Sequence, residues 1–112
     1  FPYGRLPELF CGFARDKELS SISVKYPVSC SPQAWAAGST ILLLQSMLGM
    51  QADAACGKLY LSPKLPQWLK YLSVQNLRVG KGTINLYFER QEEATSFRIT
   101  ENNAGVQVVI SQ

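Results

Sequence analysis

The sequence predicts an α+β chain, with one apolar, buried helix followed by a small antiparallel β domain. Three observations carry that expectation. A run of helix formers, "AWAAGSTILLLQSMLGM" (34–50), stands in the first half; apolar and polar residues alternate with period two in "TINLYFER" (83–90); and Gly/Asn-rich turn signals divide the second half into short segments.

Residues 1–30 read as an extended, loop-rich stretch, because Pro2, Gly4, Pro7, Gly12 and Pro27 interrupt any regular element. At Ser31-Pro32 the signals change. A Ser suited to the N-cap and a Pro suited to the first helical position predict a helix over 32–48, stopped by Gly49. Its apolar residues leave almost no polar stripe, so the helix needs cover on most sides. The chain offers little else helical to provide it. Either the chain associates with itself, or the helix belongs inside a larger helical body. The run is also too short for a membrane span of about 20 residues and is interrupted by Ser39, Thr40, Gln45 and Ser46, so no membrane partner is expected.

Beyond Cys56-Gly57 the period becomes two. Ile84, Leu86 and Phe88 share one side of a strand, Phe97 and Ile99 of "SFRIT" (96–100) another, and Val106, Val108 and Ile110 a third. Further strands are expected near 58–61 and 73–79. The prolines of "SPKLPQWLKYL" (62–72) permit at most a helical turn between them. Gly80-Lys81-Gly82 and Asn102-Asn103-Ala104-Gly105 read as two tight hairpins, which makes the pairing antiparallel in a module of four or five strands. A helical half and a sheet half thus join near 51–57.

Composition narrows the chemistry. The 112 residues fit one domain or the end of a larger one, with 46% hydrophobic and 17% charged residues, as in ordinary globular proteins. Lys+Arg 11 against Asp+Glu 8 gives +3 with no block of like charge, which argues against nucleic acid as a partner. There is no histidine, so His-dependent nucleophilic catalysis and most zinc sites are excluded. Cys11, Cys30 and Cys56 have neither CxxC spacing nor an even number, and they read as reduced, mostly buried thiols in a reducing, cytoplasmic compartment. No metal or cofactor is expected. "GKG" (80–82) lacks the spacing of a phosphate loop and precedes a strand. The chain starts without Met and without a signal-peptide pattern, so it reads as part of something longer, or as a chain that has lost a leader or tag.

Carboxylates remain as acid/base groups, and Glu8 is the one in unusual company. It stands among Leu6, Pro7, Leu9, Phe10 and Phe13, where a charge is costly unless paired or hydrogen-bonded. Pro7 stiffens the loop that presents it. Two readings compete: a loop-pinning ion pair with Arg5 or Arg15, and one member of the carboxyl pair of an inverting glycosidase, whose two groups lie about 6.5–9.5 Å apart. Asp16 and Glu18 fit a solvated turn. Tyr3, Tyr26 and Trp35 suit either sugar-stacking walls or, for Trp35, core packing. Gln33 is either a hydroxyl-binding group or a solvated one, and Trp68 and Tyr71 read as domain-packing residues.

The order of "RLPELFCGF", "YPVSCSPQAWAAGSTILLLQSMLGM" and "LYLSPKLPQWLKYLSVQNLRVGKGTINLYFER" resembles the C-terminal part of amylo-alpha-1,6-glucosidase-type glycogen debranching proteins, distant relatives of glucoamylases. The likeness covers nearly the whole chain. It implies an α/α toroid whose last helix is 32–48, with residues 1–56 ending the catalytic domain and 57–112 forming a C-terminal antiparallel β domain. It further implies Glu8 as the general base, Arg5, Gln33 and Trp35 as sugar contacts, and a general acid from a distant upstream loop. The expected function is that of an inverting α-glucosidase on α-1,6-linked or similar glucans. The expected partners are the glucan or oligosaccharide substrate and the remainder of the parent catalytic domain. The isolated chain is then expected to be inactive. Two other classes stay open: a non-catalytic carbohydrate-binding or accessory β module using Trp68, Tyr71 or Tyr87, and a scaffold whose helix self-associates.

Overall fold

The computed structural model describes residues 6–13, 24 and 26–111. It contains one helix, α1 (Ala34–Leu48), followed by β1 (Gln51–Asp53), β2 (Lys58–Leu61), β3 (Tyr71–Val79), β4 (Gly82–Gln91), β5 (Ala94–Asn102) and β6 (Gln107–Ile110). This is an α+β mixture, as the apolar run and the alternation predict. The chain separates into two compact units, Phe1–Leu42 and Leu43–Gln112.

In the first unit, residues 6–11 run beside the described part of residues 24–33 without forming a long strand. The Cys11 N–H donates to the Val24 carbonyl at 2.7 Å and the Tyr26 N–H to the Leu9 carbonyl at 3.2 Å. Pro27 opens a turn closed by the Ser29 N–H and hydroxyl, both donating to the Tyr26 carbonyl. The helix starts two residues later than Ser31-Pro32 suggests. The Gln33 N–H donates to the Leu6 carbonyl, and the Gln33 carbonyl accepts from Ala37 at 2.9 Å. Ser31 is therefore not the N-cap. Gln33 occupies that position.

The C-terminal end of α1 falls at Gly49, as expected, and the hydrogen bonds explain why. The Gly49 N–H donates to Ser46 at 3.2 Å and the Met50 N–H to Gln45 at 2.9 Å, the paired closure that requires a left-handed residue after the helix. Gly49 has φ 55°, and a Cβ there would lie 2.7 Å from the Ser62 Cβ and 2.8 Å from the Ser62 carbonyl oxygen. Ser62 cannot retreat easily, since its own N–H is bonded to the Leu48 carbonyl. Gly49→Ala is accordingly expected to cost about 2 kcal/mol or more. Gly38→Ala, inside α1 with open space around it, is expected to stabilise by about 0.5–1 kcal/mol. Urea denaturation of the two variants checks the opposite signs.

The second unit holds two three-stranded sheets, not the single module predicted. In one, β2 lies between β1, antiparallel, and β6, parallel, with Lys58 opposite Gln107 and Leu61 opposite Ile110. The other is an antiparallel meander, β3-β4-β5. Gly80-Lys81 makes the expected hairpin between β3 and β4, with Gly80 at φ 61°. A second two-residue hairpin, Glu92-Glu93, joins β4 and β5, with Glu92 at φ 57°.

The segment Asn102–Gly105 is not a hairpin. The Asn103 and Ala104 N–H groups both donate to the Thr83 carbonyl, and the Asn102 side chain bonds Val106 and Gly105. These bonds turn the chain from one sheet to the other, so β6 does not return along β5. A Cβ on Gly82 would meet the Ala104 Cα at 2.5 Å, which shows how closely this loop lies over the start of β4.

The core of this unit is built by alternate residues. Leu59 and Leu61 of β2, Ile84, Leu86 and Phe88 of β4, with Leu48, Leu65, Val79 and Val106, are all buried. β3 carries a bulge between Val74 and Leu77. There Asn76 adopts φ 56° and donates its N–H to Asn85 Oδ1 at 2.7 Å.

Two expectations about burial are corrected. Cys30 and Cys56 are exposed and Cys11 half-buried, so the thiols are not core residues; loops and turns place them at the surface. The apolar helix also lacks the cover its composition calls for: Trp35, Ile41, Leu42, Leu43 and Leu44 are all exposed, while Ala36 and Leu48 are buried. Among the described residues no helix is long and apolar enough to cross a membrane.

Candidate functional site

Glu8 is half-buried on the loop of the first unit, directly after Pro7, which is fully buried. Its backbone N–H donates to the Cys30 carbonyl at 2.9 Å, and its Oε2 accepts from the Cys30 N–H at 3.3 Å. One residue of the 24–33 segment thus grips both the backbone and the side chain of Glu8. The apolar residues that follow it in sequence, Leu9, Phe10 and Phe13, are exposed and do not enclose the carboxylate; the backbone amide of Cys30 is what orients it. The ion pair with Arg5 or Arg15 lies outside the described residues, as do Arg5 itself, Tyr3, Asp16 and Glu18.

Three residues after Cys30, the Gln33 N–H is fixed to the Leu6 carbonyl at 3.3 Å, two residues before Glu8. Glu8 and Gln33 therefore flank the same pair of strapped segments, at the entry to α1. Gln33 is half-buried. Trp35, on the first turn of the helix, is 60% exposed, so core packing within this chain is not its role. Tyr26 is also exposed, at the turn preceding Cys30. Within the described residues of this unit Glu8 is the single carboxylate. Such an arrangement can orient a proton acceptor. An acid to work against it is not present there.

Trp68 and Tyr71, read from the sequence as domain-packing residues, are 80% and 64% exposed in this chain. Trp68 sits in the turn that the prolines of 62–66 allow, and Tyr71 on the face of β3 opposite the core. The contribution of Cys30 was not visible in the sequence, because the group that matters is its main-chain N–H. Among the described residues no cluster of three or more His, Cys, Asp or Glu could hold a metal ion.

Cys56, at the turn after β1, receives the opposite of activation. The Asp53 carboxylate, first as hydrogen-bond acceptor and then as a negative charge, pushes the Cys56 thiol above its ordinary range. A raised pKa leaves less thiolate at a given pH, so Cys56 is a poor nucleophile. Peptide-resolved alkylation with iodoacetamide near pH 8 should proceed faster at Cys56 in Asp53→Asn than in the wild type. The difference should shrink as pH rises until the thiol is ionised in both.

The chain matches no family model, no curated protein and no solved structure.

Proposed function

We propose that this chain contributes the general base of an inverting glycoside hydrolase of the amylo-alpha-1,6-glucosidase type, acting on α-1,6-linked or similar glucans. In this reading Glu8 removes a proton from the water that attacks the anomeric carbon. A carboxylic acid from another segment protonates the departing glycosidic oxygen on the opposite side of the sugar. Arg5, Gln33 and Trp35 are the proposed sugar contacts. α1 is the last helix of an α/α toroid in a cytoplasmic enzyme, with the remaining helices covering its apolar residues.

The observation that carries the reading is the double hold of Cys30 on Glu8 beside the start of α1. A carboxylate fixed by the main chain on a stiff loop is preorganised for a defined water, and the L-P-E (6–8) and P-Q-A-W (32–35) segments meet at that point. The exposure of Ile41, Leu42 and Leu43 agrees with a helix designed for cover from elsewhere.

Hydrolysis of an α-1,6-linked glucan, followed by NMR of the newly formed anomeric centre, tests the reading on the 112-residue chain and on a longer protein that contains it. The expected result is no turnover by the chain alone and β-configured product from the longer protein. Turnover by the chain alone, or an α-configured first product, overturns it.

A further inference from the structure

The meander β3-β4-β5 has a second face that the hydrophobic core does not use. Residues directly opposite in antiparallel strands share a face, and the register places Tyr71 opposite Glu89, Ser73 opposite Tyr87, and Tyr87 opposite Arg98. All of these alternate with the buried Leu86 and Phe88. On this outer face the Tyr71 and Tyr87 rings are stacked, 6.3 Å between centroids and 15° from parallel. The Arg98 guanidinium carbon lies 4.5 Å from the Tyr87 ring centroid. The strands thus hold two nearly parallel rings, with one face of Tyr87 covered by the Arg98 guanidinium and Tyr71 64% exposed.

Tyr71 also forms one wall of a cleft of about 410 Å³, completed by Gln67, Lys70, Glu89, Arg90 and Glu92. That volume lies in the range of about 300–1,000 Å³ usual for small-ligand clefts. The charges around it cancel: Lys70 and Arg90 against Glu89 and Glu92. A polyanion meets two carboxylates here and a cation two basic groups, so neither is well matched. A neutral, hydroxyl-rich ligand is, since it needs both donors and acceptors at close range and an apolar ring face to stack against aromatics.

We propose that the outer face of β3-β4-β5 is a non-catalytic oligosaccharide site. A sugar ring lies on the exposed Tyr71 ring beside Tyr87, and its hydroxyls bond to the Gln67, Lys70 and Glu89 side chains in the cleft. That the sugar is an α-linked glucan rests on the function proposed above; the stacking site itself does not. Such a site would keep the β module on the polymer while chemistry proceeds elsewhere.

Titration calorimetry of the 112-residue chain with maltoheptaose, and in parallel with cellohexaose and mannohexaose, tests the proposal. Binding of maltoheptaose in the millimolar range or tighter is expected. Tyr71→Ala and Tyr87→Ala should each weaken it about tenfold or more, Tyr71→Trp should retain it, and Lys81→Ala in the β3–β4 turn should leave it unchanged. Circular dichroism confirms that the variants are folded. Binding of another neutral oligosaccharide through the same tyrosines, in place of maltoheptaose, supports the site and overturns its α-glucan assignment, while the substrate of the proposed hydrolase is read by the NMR assay above. Absence of binding by all three sugars at millimolar concentration, or binding indifferent to both tyrosine substitutions, overturns the site and leaves the role of Glu8 to its own assay.

Discussion

Glu8→Gln, made in a longer protein that carries this chain together with its general acid, is expected to lower kcat for glucan hydrolysis by about 10²–10⁴-fold. The amide keeps the shape of the side chain, and its carbonyl oxygen still accepts from the Cys30 N–H, so the loop keeps its hold. The amide cannot take the proton from water, and that step alone is removed. KM and the denaturation midpoint should therefore change little. A variant that retains most of its kcat removes Glu8 from the role of base. One that loses kcat and stability together identifies Glu8 as a loop-pinning residue instead.

Phe88→Ala should have the largest effect on stability. Phe88 is fully buried at the middle of β4, between β3 and β5, with the Phe97 ring 6.5 Å away in a tilted arrangement. Its neighbours on the same face of β4, Leu86 and Ile84, are equally buried. They are held by ladders on both sides and cannot collapse into the space a phenyl ring vacates. The expected cost is about 3–5 kcal/mol, which is most of the stability of a small domain. Val28→Ala, at a side chain 90% exposed in the first unit, should change the midpoint by about 0.5 kcal/mol or less. Guanidinium denaturation of the two variants measures both. A Phe88→Ala cost below about 1 kcal/mol would mean that the meander is not the centre of the core.

What the sequence discloses and what it hides differ by the range of the interaction. Local signals act within a few residues and were legible: the alternation of Ile84, Leu86 and Phe88, the glycine that ends α1, and the Gly80-Lys81 turn. The parallel pairing of β6 with β2 was not, because nothing near 107–110 encodes a partner at 58–61. The Asn/Gly-rich 102–105 segment has the residues of a hairpin, but its side chains and amides bond to Val106 and to Thr83 instead. β1 is not legible because a three-residue strand, Gln51–Asp53, is too short for any period to appear. The same division holds at the candidate site. Glu8 stood out by its apolar company, whereas the amide of Cys30, 22 residues away, carries no side-chain signature.

The parallel seam between β2 and β6 also orders events during synthesis. Lys58 and Leu59 emerge from the ribosome long before Gln107 and Val108, and the whole meander is translated between them. β3, β4 and β5 can zip up in sequence as they appear, each finding its neighbour through a two-residue turn. β2, holding two leucines that end fully buried, has only the short β1 for company until the last partner arrives. During that interval one flank of a greasy strand is open to any passing polypeptide, and a nascent chain stalled before residue 107 is the species most exposed to chaperone capture or aggregation.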